Sequence, residues 1–391
     1  MVMANNETPL SGRLLEKQTL ERLLKSPRSE FLAVYGRRRV GKTFLIRRFF
    51  ETQGLDIFEM TGRFQGTRGQ HLQIFAEDLS EAYYGGAPLA PPANWHEAFR
   101  MLREAIEQTH GQRKFVLFFD ELPWIASHRS GCLPALEHFW NAWCSKRNDL
   151  LLIVCGSAAS WMLRKIVSAR GGLHNRVTAT MRLLPFSLAE LESYAHDRRL
   201  SFTRRDLVEL YLCFGGVPHY LDHLERGRSV AQHIDALCLH KDGALRQEFS
   251  RLFASLFSDD KKYRHVVRAL ASKRGGLPRG ELLAAAGLRT GGGATTILTN
   301  LEEGGFITSM LPLDRADGVI TVCEMKFTDG PFTISKSYAE RLRRKLAVFH
   351  DVTGTKKALH LVFVTSYELD DNRYSRELID QKISMDAMFR S

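Results

Sequence analysis

Eight consecutive residues, Gly36-Arg37-Arg38-Arg39-Val40-Gly41-Lys42-Thr43, follow the spacing G-x-x-x-x-G-K-[ST]. Each residue type answers a chemical need. Glycines let backbone N–H groups turn inward around phosphate oxygens. A helix opening at Lys42-Thr43-Phe44 would point its positive end at the same anion. Lys42 offers a mobile cation to β- and γ-phosphates, and Thr43 offers a hydroxyl to Mg²⁺. An acidic residue at the end of a buried strand would complete such a site. Phe115-Val-Leu-Phe-Phe119 followed by Asp120-Glu121 supplies it. Asp120 would hold Mg²⁺, and Glu121 would orient and deprotonate an attacking water. Taken alone, that acidic pair is also what a solvated strand end looks like.

Two further residues are candidates on weaker grounds. Leu152-Ile-Val-Cys155-Gly156-Ser157 reads as a strand ending in a small polar residue, and strand carboxyl ends in parallel sheets face the ligand crevice. Ser157 would there touch the γ-phosphate or the lytic water; equally, it could cap the helix begun by AASWML. Arg176 has the charge of an arginine finger, which stabilises a phosphoryl group in transfer. On spacing alone it is also an ordinary surface arginine.

These residues need a scaffold that brings strand ends together. Phe31–Tyr35 is a short apolar run ending in glycine, and an amphipathic stretch runs from Lys42 to about Phe50. Asp56–Met60 reads as a strand, 62–70 as a polar loop, and Trp95 to about His110 as a helix. The runs at 115–119 and 150–155 suit strands buried on both faces, so the pattern implies a parallel sheet covered by helices. From Leu188 helical spacing dominates. After Asp314 strands are expected at 318–325 and 359–365, with a helix near 335–349.

A length of 391 residues implies two to four domains. A composition 44% hydrophobic and 25% charged excludes a wholly disordered, collagenous or coiled-coil chain. Apolar runs such as Leu150–Cys155 fall far short of the roughly twenty residues a membrane helix needs. The opening residues lack a signal-peptide pattern, so the expected compartment is the cytoplasm, with no membrane partner. Six cysteines without a CxxC pair indicate reduced thiols and no zinc site. A net charge of +11 favours a polyanionic partner.

Together the motifs resemble the STAND class of P-loop ATPases, particularly its archaeal-type group. Gly12-Arg13-x-x-Glu16 resembles the hhGRxxE element before the phosphate loop. GRRRVGKT, FFDELPWIA, CGSAASWM and GGLHNRVTATMRLLPF fall in the family's order, and Gly215-Gly216-Val217-Pro218-His219-Tyr220-Leu221 resembles the GGxPxYL element of its helical lid. The resemblance covers nearly all of residues 8 to 309. It implies ATP and Mg²⁺ as ligands, with Arg13 and Pro218 near the base and ribose and Ser157 as a sensor. It implies Arg176 acting in its own chain or toward a neighbouring subunit of a homo-oligomer, and a conformational switch rather than rapid turnover. The expected fold class is α/β: a P-loop NTPase core with a parallel sheet (1–187), a helical lid (188–260), a winged helix-turn-helix (261–313) and a small α/β piece (314–391).

Residues 261–313 hold eight basic and three acidic residues, the densest positive region of the chain. Helices are expected at Tyr263–Ala271, Pro278–Ala286 and about Ala294–Glu303, with Gly305-Phe306-Ile307 starting a wing. Lysines and arginines there would contact DNA phosphates, while the third helix, ATTILTNLEE, carries no basic residue. Packing on the ATPase core is the alternative use of such a group. The end of the chain resembles the nuclease-like module that accompanies these ATPases. Glu324-x-Lys326 resembles the ExK half of a PD-(D/E)xK site, with Glu324 as a candidate metal ligand and Asp314 and Asp317 the nearby upstream carboxylates. The family pattern has a further stretch of roughly 70–80 residues before this strand, by the size of the module. This chain lacks it, so a structural remnant or partner surface is expected rather than a nuclease.

Overall fold

The computed structural model describes residues 9–109, 114–127, 129–167, 176–257, 259–273, 276–309, 313–314 and 318–390. The chain forms two compact units. One comprises 1–185, 217–223 and 235–307; the other comprises 186–216, 224–234 and 308–391. The segment expected as a lid is therefore divided between them.

The first unit is built on a five-stranded parallel sheet. Its strands are β1 (Glu30–Tyr35), β2 (Ile57–Thr61), β3 (Phe115–Asp120), β4 (Leu150–Gly156) and β5 (Ala179–Arg182), in the order β2-β3-β4-β1-β5. Continuous apolar runs form the strands because both faces are covered, and the period of two sorts each run between two cores. Phe31, Ala33, Leu117, Phe119, Leu152 and Val154 face helices 68–83, 95–108 and 132–142. Leu32, Val34, Val116, Phe118, Ile153 and Cys155 face helices 14–24 and 42–52. Phe118 and Phe119 are essentially inaccessible, and burial of one such side chain stabilises by roughly 1.5–3 kcal/mol. Registers Tyr35↔Gly156, Tyr35↔Arg182 and Phe119↔Val154 bring the carboxyl ends of β1, β3, β4 and β5 to one edge. That edge is where the candidate residues lie.

The loop expected over 62–70 holds for 62–67, and helix 68–83 takes its last three residues. Thr67 caps it, accepting from the Gln70 amide while the Gln70 side chain accepts from the Thr67 amide. Further along, helices 248–256, 260–271, 279–285 and 292–303 share an aromatic and aliphatic core of Phe253, Val266, Leu282, Ile297 and Leu301. No strand forms at 305–307, where a wing was expected. The Phe306 ring instead packs on Phe253, with ring centroids 4.8 Å apart.

The second unit holds a four-stranded sheet, β6 (Leu313–Asp314), β7 (Val319–Lys326), β8 (Ala358–Thr365) and β9 (Gln381–Ser384). β7, β8 and β9 are parallel, and β6 runs antiparallel to β7. Helix 336–353 covers one face through Tyr338, Ala339 and Leu342 against Leu361 and Phe363. Helices 188–197 and 204–214 belong to this unit, where Arg204 pairs with Asp386 (2.8 Å) and Arg205 with Asp329. No helix of the described residues is long and apolar enough to cross a membrane.

Candidate functional site

β1 hands its last residue, Tyr35, to Gly36, and the chain turns through Gly41 into helix 42–52. The glycines answer different demands. A Cβ on Gly36 would lie 2.2 Å from the Leu183 carbonyl oxygen, at the end of β5. Gly41 has open space but a φ of 86°, a conformation glycine adopts without penalty. Val40, between the two glycines, and Lys42, just after them, are buried, and Phe44 projects outward from the first turn of the helix.

Lys42 Nζ donates to the carbonyl oxygens of Gly36 (3.1 Å) and Arg37 (3.0 Å) and to Ser157 Oγ (3.0 Å). Ser157 Oγ donates in turn to Glu121 Oε1 (2.5 Å), and the Ser157 amide to Glu121 Oε2 (3.2 Å). The serine hydroxyl thus bridges the lysine and the glutamate. The short helix 159–162 that follows has no side-chain cap. Glu121 itself sits at φ 47° immediately after β3, which swings its carboxylate across to β4. Thr43 Oγ1 donates to Asp120 Oδ2 (2.5 Å), and Asp120 Oδ1 accepts from the Glu121 amide (2.9 Å). An alcohol and a carboxylate oxygen converging beside the lysine are hard donors of the kind Mg²⁺ takes. The donor set fits that ion.

The three loop arginines diverge. The Arg37 guanidinium lies 5.0 Å from the Phe306 ring centroid, and Arg38 lies 5.7 Å from that of Trp124. Arg39 forms a 2.7 Å ion pair with Glu248 Oε2, whose other oxygen accepts from the Tyr220 hydroxyl (3.0 Å). Glu248 is buried, and burial pushes the Tyr220 phenol up to about 12. Arg39 has a φ of 72°, and a side chain held there costs of the order of 1–3 kcal/mol. The Glu248 pair holds it in place. Sequence patterning offered no sign of this glutamate, because it lies far along the chain in a helix of ordinary composition.

Arg13 and Pro218 approach the same part of the loop. Arg13 is buried, donates to the Val40 carbonyl (3.1 Å) and pairs with Glu16 (3.5 Å). Pro218 opens a short helix, and the next amide, of His219, donates to the Arg39 carbonyl at 3.5 Å. Burial and the nearby Arg39 charge hold the His219 imidazole below its usual value.

Arg176 does not reach the loop of its own chain. The Thr178 amide donates to the Phe31 carbonyl (2.9 Å), which places Arg176 beside the amino-terminal end of β1. At about 3.3 Å per residue, the loop at the other end of that strand is roughly 20 Å away. Residues 171–175 of the same motif, His174 included, lie outside the described residues. In the second unit, Glu324 accepts from the Tyr338 hydroxyl and from Lys345 (2.8 Å), and Lys326 lies 3.7 Å from it. Burial raises this carboxyl, but those hydrogen bonds and the two ammonium charges outweigh it and hold the group below the ordinary glutamate value. Among the described residues no three His, Cys, Asp or Glu side chains are placed to share a metal ion. Asp317 and the Asp314 side chain fall outside those residues.

A parallel sheet in this order, with a glycine-bounded loop after β1 and an acidic pair after β3, defines a P-loop NTPase. The chain belongs to the ATPase domain family found predominantly in Archaea, which matches residues 10–224. An uncharacterized protein of Methanocaldococcus jannaschii is 24% identical over 301 residues, covering 77% of this chain and 62% of that protein. The chain therefore spans less than two thirds of that relative's length. A Walker-type ATPase of Pyrococcus abyssi shares the fold, with a TM-score of 0.54 at 19% identity over 75% of this chain and 89% of the other. An ORC2 protein of Aeropyrum pernix aligns more loosely, at 16% identity and a TM-score of 0.45 over 77% and 89% of the two chains.

Proposed function

We propose that the chain is a Mg²⁺-dependent ATPase of the STAND type whose nucleotide state is coupled to DNA binding. The observation that carries the proposal is the convergence of Lys42, Thr43, Asp120, Glu121 and Ser157 at one sheet edge. Backbone N–H groups from Gly36 to Thr43 cradle the phosphates, and Lys42 neutralises their β- and γ-oxygens. Thr43 and Asp120 would hold Mg²⁺, which would supply positive charge against the phosphates. Glu121 orients the attacking water and accepts its proton, and Ser157 senses the terminal phosphate. Arg13 and Pro218 flank the base and ribose side, next to Arg39 and Val40. Arg176 faces outward and serves a neighbouring subunit.

Helices 260–271, 279–285 and 292–303 are the DNA-contacting group, in the manner of a winged helix-turn-helix. Lys261, Lys273, Arg279 and Arg289 are exposed on it and suit phosphate contacts. The third helix exposes Thr295, Thr296 and Thr299 but no cation, so backbone contacts outweigh base contacts in this proposal.

One observation favours a second version, a nucleotide-gated DNA-binding protein with negligible turnover. Both Glu121 oxygens accept from Ser157, which takes two of the roughly four lone-pair sites of the carboxylate and narrows the approach left for a water. ATP binding and hydrolysis by wild type, Lys42→Ala and Glu121→Gln separate the two. The expected results are lost binding in the first variant and retained binding without turnover in the second. Slow single-turnover hydrolysis with ATP-dependent DNA affinity would select the gated version, and a wild type that binds no ATP would sink both.

A further inference from the structure

Beside Ser157 lies a cavity of about 220 Å³, walled by Arg37, Ser157, Trp161, Arg164, Asn300 and Phe306. Ser157, the middle member of the Lys42–Ser157–Glu121 chain of hydrogen bonds, belongs to its lining, and a terminal phosphate and its attacking water would meet beside that chain. A water's share of liquid volume is about 30 Å³, so the space holds a phosphoryl group with its water.

The cations of the phosphate loop and of this cavity are engaged to different degrees. Lys42 makes three hydrogen bonds, Arg39 is paired with Glu248, and Arg164 donates to Asn300 Oδ1 (3.4 Å). Arg37 has no ion pair among the described residues, and its Nε is buried without a hydrogen-bond partner. The ring of Phe306 holds its guanidinium against the cavity. A buried donor left unpaired carries its full desolvation cost unless a ligand meets it. A guanidinium poised in this way suits a planar array of phosphate oxygens.

We infer that Arg37 is the arginine that reads the γ-phosphate, acting within its own chain. The inference rests on the nucleotide-binding proposal and adds a catalytic residue to it. In the step concerned, a bond forms between the water oxygen and the γ-phosphorus. The bond from that phosphorus to the β–γ bridging oxygen breaks, and its electron pair leaves on ADP. The water's proton passes to the Glu121 carboxylate. Arg37 donates to the γ-oxygens, on which charge accumulates during the transfer. ADP, lacking that group, leaves Arg37 on Phe306.

The test compares ATPγS and ADP affinities by calorimetry in Mg²⁺, and single-turnover hydrolysis, for wild type, Arg37→Ala and Arg37→Lys. Arg37→Ala is expected to weaken ATPγS by about tenfold to a hundredfold while ADP stays within about twofold. Its hydrolysis rate is expected to fall by at least about a hundredfold, with partial recovery in Arg37→Lys. Arg37→Gln, which keeps most of the volume, is read by the same ratio if the alanine variant does not fold. An unchanged ATPγS-to-ADP ratio in a wild type and variant that both bind ADP would overturn the role of Arg37 alone. A wild type that binds neither nucleotide would remove the ATPase proposal and this inference with it.

Discussion

Replacing Glu248 with alanine should loosen the phosphate loop from a position far along the chain. The carboxylate is buried, pairs with Arg39 at 2.7 Å and accepts the Tyr220 hydroxyl at 3.0 Å. Its loss leaves a buried phenol without an acceptor, which costs about 1–3 kcal/mol. It also strands the Arg39 charge. Breaking a fully buried pair costs about 3–5 kcal/mol, but the Arg39 side chain is 29% exposed, so water recovers part of that. A total near 3 kcal/mol is expected for Glu248→Ala, and about 1 kcal/mol for Glu248→Gln, which still accepts from Tyr220. All five tryptophans (95, 124, 140, 143 and 161) lie in the first unit, so their fluorescence during urea unfolding reports that unit alone. A double-mutant cycle with Arg39→Ala should give a coupling of about 1–2 kcal/mol. Additive single variants, or a Glu248→Ala cost below about 0.5 kcal/mol, would refute the assignment of Glu248 as the anchor of the loop.

Other outcomes are as specific. Burial, with the charges of Glu59, Glu77 and Glu81, raises Asp78 from 3.8 to about 7. The folded state thus binds this proton more tightly than the unfolded chain, and the stability it contributes is complete below about pH 4 and lost as pH rises through 7. Asp78→Asn should therefore gain on wild type between pH 5 and pH 8, by about 1–2 kcal/mol once solvent screening is allowed for; tryptophan-monitored melts at the two pH values check it, and a gain that does not grow contradicts it. Gly36→Ala should weaken ADP binding at least about tenfold, because its Cβ must displace the Leu183 carbonyl and with it the end of β5; calorimetry with the folded variant decides. Supercoiled plasmid incubated with the protein in Mg²⁺ or Mn²⁺ should stay uncut, since Glu324 is held by Tyr338 and two lysines. Nicking that disappears in Glu324→Gln would show that this geometry misleads.

Elements with strong local signals were legible before the structure was known. β1, β3 and β4 begin or end within a residue of the apolar runs that predict them, because burial on both faces leaves no polar position to blur the boundary. β5, of four residues, and β9 are too short and too polar to stand out, and they form because a neighbouring strand offers hydrogen bonds. Helix 68–83 did carry a readable signal: Thr67 and Gln70 have capping-box spacing, masked by the glycines around them. At the site, the loop and the acidic pair are local motifs. The Arg39–Glu248–Tyr220 group and the Arg37–Phe306 contact join residues that only the tertiary fold brings together, and no spacing encodes them. The division of 188–260 between two units is hidden for the same reason, since helical periodicity marks a buried face without naming what covers it.

The anchoring of Arg39 by Glu248 also bears on the order in which the protein matures during synthesis. The loop from Gly36 to Thr43 emerges from the ribosome early, between helix 42–52 and β1, a strand that can pair once β4 has followed. Its left-handed arginine then waits, without a counter-ion, until the chain has been made through residue 248. A nascent chain stopped short of that point would present a folded sheet with an unfastened loop. Nucleotide affinity would be acquired only after the helices that precede the proposed DNA-contacting group have docked, so a half-made chain would not draw on the cell's ATP.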